Sequence, residues 1–112
     1  MDCLFCKIIN GEIPSDKVYE NDKVYAFYDI APQAPIHVVI VPKIHIASAN
    51  DITPENSSAI ADIYEAIPQI AKALGLSENG YRIVNNCGKD AGQTVFHIHF
   101  HLLGGEQGGK MY

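Results

Sequence analysis

An α+β domain with a mainly antiparallel sheet is the fold class this sequence predicts. Three observations carry that reading: several short β-type runs, hairpin-like connections between them, and one long stretch of helical periodicity before Leu74. One domain over residues 1–112 is expected, because a chain of 112 residues can bury one core of its own but not two.

The elements follow in order. Cys3 to Gly11 reads as one or two helical turns closed by Asn10-Gly11. Lys17–Glu20 and Val24–Asp29 flank the polar pair Asn21-Asp22 and read as a hairpin. Ile30–Pro35 is expected to be a loop, since neither of its prolines can donate to a ladder. Ile36–Val41 is a third, buried strand that ends at Pro42. A helix starts at Thr53 with Pro54 in its first position, and Ile60, Ile63, Ile67, Ile70 and Leu74 form its apolar stripe. Pro68 should kink this helix and Gly75 should stop it. Tyr81–Asn85 and Val95–Leu103 are the fourth and fifth strands, and Gly104–Tyr112, with its four glycines, reads as irregular.

Composition narrows function. The formal net charge is −5 and the eight basic residues are scattered, which argues against binding a nucleic-acid backbone. No apolar run approaches the ~20 residues that span a bilayer, and no secretion signal is read at the N-terminus. Three cysteines, two of them only three positions apart, do not form a secreted disulfide framework, so a cytoplasmic protein is expected.

Chemistry concentrates in His97-Ile98-His99-Phe100-His101. On a strand, Val95, His97, His99, His101 and Leu103 would share one face, with the imidazoles roughly 6.6 Å apart. Phe96, Ile98, Phe100 and Leu102 would pack the other face onto the helix. A lone histidine on a strand is more often structural than catalytic, but three of the five histidines fall in this one alternating run. Imidazole suits both catalysis and metal binding, because its ordinary pKa of about 6.5 keeps both protonation forms accessible. The preceding loop Gly88–Thr94 has two glycines and a threonine. By itself it reads as an ordinary turn, but directly before the histidines it can present N–H groups to a phosphate.

On these stretches the sequence resembles the histidine triad (HIT) family, and within it the branch of Hint-type nucleoside phosphoramidate hydrolases. The resemblance covers Cys3–Pro14, Phe27–Ile46 and Gly92–Gly105, the last holding the defining motif of alternating histidine and apolar residues. It implies a five-stranded, mainly antiparallel sheet with one long helix and a short N-terminal helix, paired into a homodimer. It also implies a purine nucleotide substrate (AMP or GMP phosphoramidates) and no cofactor in the chemical step. His99 would attack the α-phosphorus and form a covalent nucleotidyl-histidine. His101 would hold the phosphate and assist the leaving group, with His97, His37 and Thr94 supporting. Asp29 matches the ribose-binding position, Ile30 the base pocket, and Asn86, Gly92, Gln93 and Thr94 the phosphate side. Thr94 stands where the branch usually has serine, and the tail lacks the branch's Trp-Pro-Pro ending. The galactose-1-phosphate uridylyltransferase branch fits less well, since it has proline between two of its histidines where this chain has Ile98.

Cys3-Leu4-Phe5-Cys6 has the spacing of a zinc knuckle, though free cysteines in a short helix can equally be packing residues. Some bacterial members that the chain resembles bind structural zinc at positions matching Cys3, Cys6, His45 and His97. Two further readings compete: a catalytic zinc on His97, His99 and His101, and a zinc-stapled nucleotide-binding protein with little turnover.

Overall fold

The computed structural model describes residues 3–111. Its elements are helix α1 (Leu4–Ile9), strands β1 (Lys17–Glu20), β2 (Val24–Tyr28) and β3 (Ile36–Pro42), helix α2 (Ser58–Ala73), and strands β4 (Tyr81–Val84) and β5 (Phe100–Gly104). The strands form one antiparallel sheet in the order β1-β2-β3-β5-β4, as the α+β reading expects. The β1–β2 hairpin is held by Asn21, whose Oδ1 accepts from the backbone N–H groups of Lys23 and Val24, both at 2.8 Å.

Alternation along the central strands divides the molecule into two layers. Val24, Ala26, Val38, Ile40, Phe100 and Leu102 face α2 and pack with Ile63, Ile67 and Ile70. Each such side chain contributes about 1.5–3 kcal/mol by leaving water. Tyr25, Phe27, Val39 and Val41 face the other way and pack with Cys3, Phe5 and Ile8 of the N-terminal segment. The short helix α1 covers only part of that second face, and the remainder is open for a site.

Three expected element bounds need correction. The long helix begins at Ser58 rather than Thr53, because the Asn56 side chain accepts from Thr53 N–H (2.7 Å) and donates to the Asp51 carbonyl (3.1 Å). Those bonds hold residues 53–57 in a separate turn. The helix continues through Pro68, which lies on its exposed side, where water can take the carbonyl of Tyr64 that the missing N–H leaves free. Strand β5 begins at Phe100, not Val95. Continuing the β3–β5 register would oppose Ile98 with Pro42, which has no N–H to give, and Ile98 N–H bonds the Ile46 carbonyl instead (2.6 Å). Residues 95–99 therefore do not alternate strictly: Ile98 joins the core, but Phe96 is 55% exposed and does not pack on α2. Finally, Gly104 belongs to β5 and not to the irregular tail. A Cβ there would come within 2.9 Å of Leu76 Cδ2, so a larger residue would require the Leu76 side chain to move.

Candidate active site and metal cluster

The open half of the second face is a cleft of about 700 Å³, within the range that holds a small-molecule ligand. It brings together Asp29, Ile30, His37, Asn86, Gly92, Gln93, Thr94, His99 and His101, which are far apart in the chain. His97 is absent from the lining. It is fully buried and turned toward the N-terminal cysteines, so the three imidazoles do not line one surface.

The partners of each ring assign its protons. Gln33 N–H can only donate, and it donates to His37 Nδ1 (3.0 Å), so His37 carries its hydrogen on Nε2. That N–H donates to His101 Nδ1 (2.8 Å), which leaves the hydrogen of His101 on Nε2. His99 is fixed the opposite way: its Nδ1–H donates to the His97 carbonyl (2.8 Å), and its Nε2 keeps a free lone pair. Burial lowers the pKa of His37 and His99, and it pushes His101 down to about 4 with help from the neighbouring His99 and His37 rings. Uncharged imidazoles are thus the resting state, as a nucleophile requires. Asp29 stands at the mouth, one carboxylate oxygen accepting from Ala31 N–H (2.8 Å) and the other 3.5 Å from His37 Nε2. Its remaining lone pairs can take hydroxyl donors.

Part of the phosphate-side loop is spent on its own turn. Gly92 N–H is used on the Lys89 carbonyl and Gln93 N–H on the Gly88 carbonyl. The Gln93 side chain is also committed, accepting from Gly88 N–H and donating to the carbonyls of Ala47 and Val95. Gln93 therefore shapes the loop, and among the described residues the Thr94 hydroxyl, the Asn86 amide and the backbone N–H groups of Thr94 and Val95, all on cleft-lining residues, have no hydrogen bond and are left for a ligand. Gly92, at φ 83°, permits this turn.

Sequence reasoning missed two features. Phe5, Ile8, Ile13 and Phe27 build an apolar wall to the cleft, and the Phe5 ring meets the His99 ring edge-on at 4.9 Å. Asn85 donates from Nδ2 to the His99 carbonyl (2.9 Å). The wall was detectable in principle, since a six-residue helix cannot bury apolar residues on every side by itself. The Asn85 bond depends on where β4 and β5 separate, which no local pattern encodes.

Beside the cleft, Cys3, Cys6, His45 and His97 form a cluster whose ligand atoms all lie within 4.8 Å of one another. His97 Nδ1 is 3.4 Å from Cys3 Sγ and 3.5 Å from Cys6 Sγ, and His45 Nδ1 is 3.6 Å from Cys6 Sγ. Metal bonds of about 2.3 Å to sulfur and about 2.0 Å to nitrogen at tetrahedral angles would put S and N about 3.5 Å apart, so the donors fit a tetrahedral ion. His97 Nε2–H donates to the Pro42 carbonyl (2.8 Å), which fixes the lone pair on Nδ1, toward the sulfurs. Burial, and then the adjacent Cys3, raise the pKa of Cys6, an effect a dication between the sulfurs would reverse. Since both nitrogens of His97 are engaged here, no three-histidine metal site with His99 and His101 can form.

Known proteins share this chain's sequence and fold over nearly its whole length. A purine nucleoside phosphoramidase from Escherichia coli is 46% identical over 98% of this chain and 92% of its own length. A histidine triad protein from Clostridium difficile superposes with a TM-score of 0.96 at 48% identity, covering 100% of this chain and 97% of that one. A HIT family hydrolase from Legionella pneumophila gives 0.91 at 52% identity, with 95% of each chain covered. The HIT domain family model matches residues 10–108, nearly the whole length, and with the cleft and its histidines as described, the chain belongs to the HIT family.

Proposed function

We propose that this protein hydrolyses purine nucleoside 5′-phosphoramidates through a covalent nucleotidyl-His99 intermediate. The observation that carries the reading is the His99 ring: buried, locked by the His97 carbonyl, with its Nε2 lone pair free in a cleft that also holds Asp29 and His101. Asp29 receives the ribose hydroxyls, Ile30 and the Phe5 wall cover the base, and Asn86 and Thr94 hold phosphate oxygens. His99 Nε2 attacks the α-phosphorus, the P–N bond to the amine breaks, and the leaving nitrogen takes a proton from His101 Nε2. An arriving phosphate anion favours a proton on the His37–His101 pair, so the proton enters with the substrate. Water then attacks the phosphorus, gives its proton back to His101, and releases the nucleoside monophosphate.

We assign structural zinc to Cys3, Cys6, His45 and His97. It would tie the N-terminal segment to residue 97 and take no part in the bond exchange. The three thiols are free, which suits a reducing cytoplasm. Strand β4 has a partner on one side only among the described residues, and we take its outer edge as part of a homodimer contact.

Incubation with a fluorogenic adenosine 5′-phosphoramidate tests the activity. Amine and AMP should appear with the wild type and fall by roughly a thousandfold or more with His99→Ala and His99→Gly. Nucleotide binding without turnover in the wild type would instead establish the binding-protein reading.

A further inference from the structure

His99 is held at both ends. Its ring is tied to the His97 carbonyl, and the residue after it, Phe100, enters the ladder opposite Ile40. Its own carbonyl lies where β4 and β5 separate, beyond the last pair Val84↔His101. Among the described residues no backbone N–H reaches it, and Asn85 Nδ2 donates to it at 2.9 Å. The next residue, Asn86, lines the cleft on the phosphate side. One dipeptide thus touches the nucleophile's main chain with its first side chain and faces the phosphate with its second.

We infer that Asn85 is a positioning residue, setting the separation between His99 and the phosphorus by pinning the His99 carbonyl to the strand end that carries Asn86. The inference rests on the covalent mechanism proposed above. In-line attack tolerates little error, and a displacement of about 1 Å at the reacting atoms costs on the order of a hundredfold in rate. A side chain that merely satisfied a stray carbonyl would affect stability and leave the rate of the folded protein alone.

Asn85→Ala removes the bond, and Asn85→Asp keeps the shape while replacing the donor with an acceptor. Both should lower kcat, and the single-turnover rate of His99 nucleotidylation, by about ten- to a hundredfold, Asn85→Asp the more. The Kd for AMP should stay within about threefold. In parallel, the imidazole 15N resonances of His99, distinct for Nδ1–H and the bare Nε2, should shift or broaden in both variants. Unchanged kcat in folded Asn85→Ala overturns the inference, as does a rise in KM at constant kcat. If both variants fail to fold, Asn85→Gln, which carries the donor on a longer arm, is measured: reduced kcat with intact AMP binding supports positioning, and full kcat overturns it. If the wild type releases no amine, the phosphoramidase reading fails by itself. The His99 nitrogen resonances of wild type and Asn85→Ala then decide, a shift supporting the positioning role and identical spectra overturning it.

Discussion

His97 and His99 are two residues apart, both buried, and each gives one ring N–H to a backbone carbonyl at 2.8 Å, yet they belong to different sites. The difference is which nitrogen donates. Pro42 takes Nε2–H of His97 and leaves Nδ1 for the sulfurs; His97 takes Nδ1–H of His99 and leaves Nε2 for the cleft. A carbonyl oxygen chooses the tautomer, and the tautomer decides whether an imidazole is a metal ligand or a nucleophile. The His97 residue serves both, with its ring in the cluster and its carbonyl on His99.

The comparison is broken most severely by removing the proposed nucleophile. His99→Ala should abolish amine release, as above, while leaving zinc stoichiometry at one per chain, measured by metal analysis. Cys6→Ala should do the reverse. Zinc at a hundredfold excess over its Kd adds about 2.7 kcal/mol to stability, so the wild type should lose on the order of 10 °C in Tm on chelation. The Cys6→Ala variant should show no such shift. Its turnover should persist at least in part, measured well below its Tm, because no bond exchange passes through the metal.

Titration gives a smaller effect, confined to the cleft. His101 has a folded pKa of about 4 against about 6.5 unfolded, so between those values the unfolded chain binds the extra proton and the native protein does not. Stability is therefore greatest above about pH 6.5 and falls as the pH drops toward 4. Urea unfolding at pH 7 and pH 4.5 should show a smaller loss in His101→Gln than in the wild type. A ring left exposed at its ordinary pKa would give no difference between the two.

Much of this arrangement was legible in the sequence, and the reasons are specific. The strands and the α2 stripe follow from spacing, because Ile63, Ile67 and Ile70 need only helical geometry to meet a sheet. The motif residues that line the cleft were found through family resemblance, which carries tertiary information that periodicity lacks. The strict alternation assumed for residues 95–99 failed because Pro42 cannot extend the ladder, a fact about the neighbouring strand. Gln93 was expected on the phosphate side, yet its amide is spent on Gly88, Ala47 and Val95, and only the folded loop reveals that. Phe5 reads in the sequence only as part of a short helix, and the cleft it walls exists only in the folded chain.

Phe5 joins the two regions and yields the smallest expected effect. It lies between Cys3 and Cys6 of the cluster, its ring is 6.0 Å from that of His97 and 4.9 Å from that of His99, and it walls the cleft. On the zinc assignment proposed above, metal binding would fix the segment that carries it, so a nucleotide entering the zinc-loaded protein would have less ordering to impose on the wall. AMP should then bind several-fold tighter with zinc than without, a coupling of about 1 kcal/mol, and AMP should tighten zinc binding by the same factor, since linkage is reciprocal. Calorimetric titration of AMP into zinc-loaded and chelated protein measures one side, and competition with a chromophoric chelator the other. Phe5→Ala should still bind both ligands but lose the coupling. Equal AMP affinities with and without zinc in the wild type would mean that the two sites share a strand and a carbonyl but no free energy.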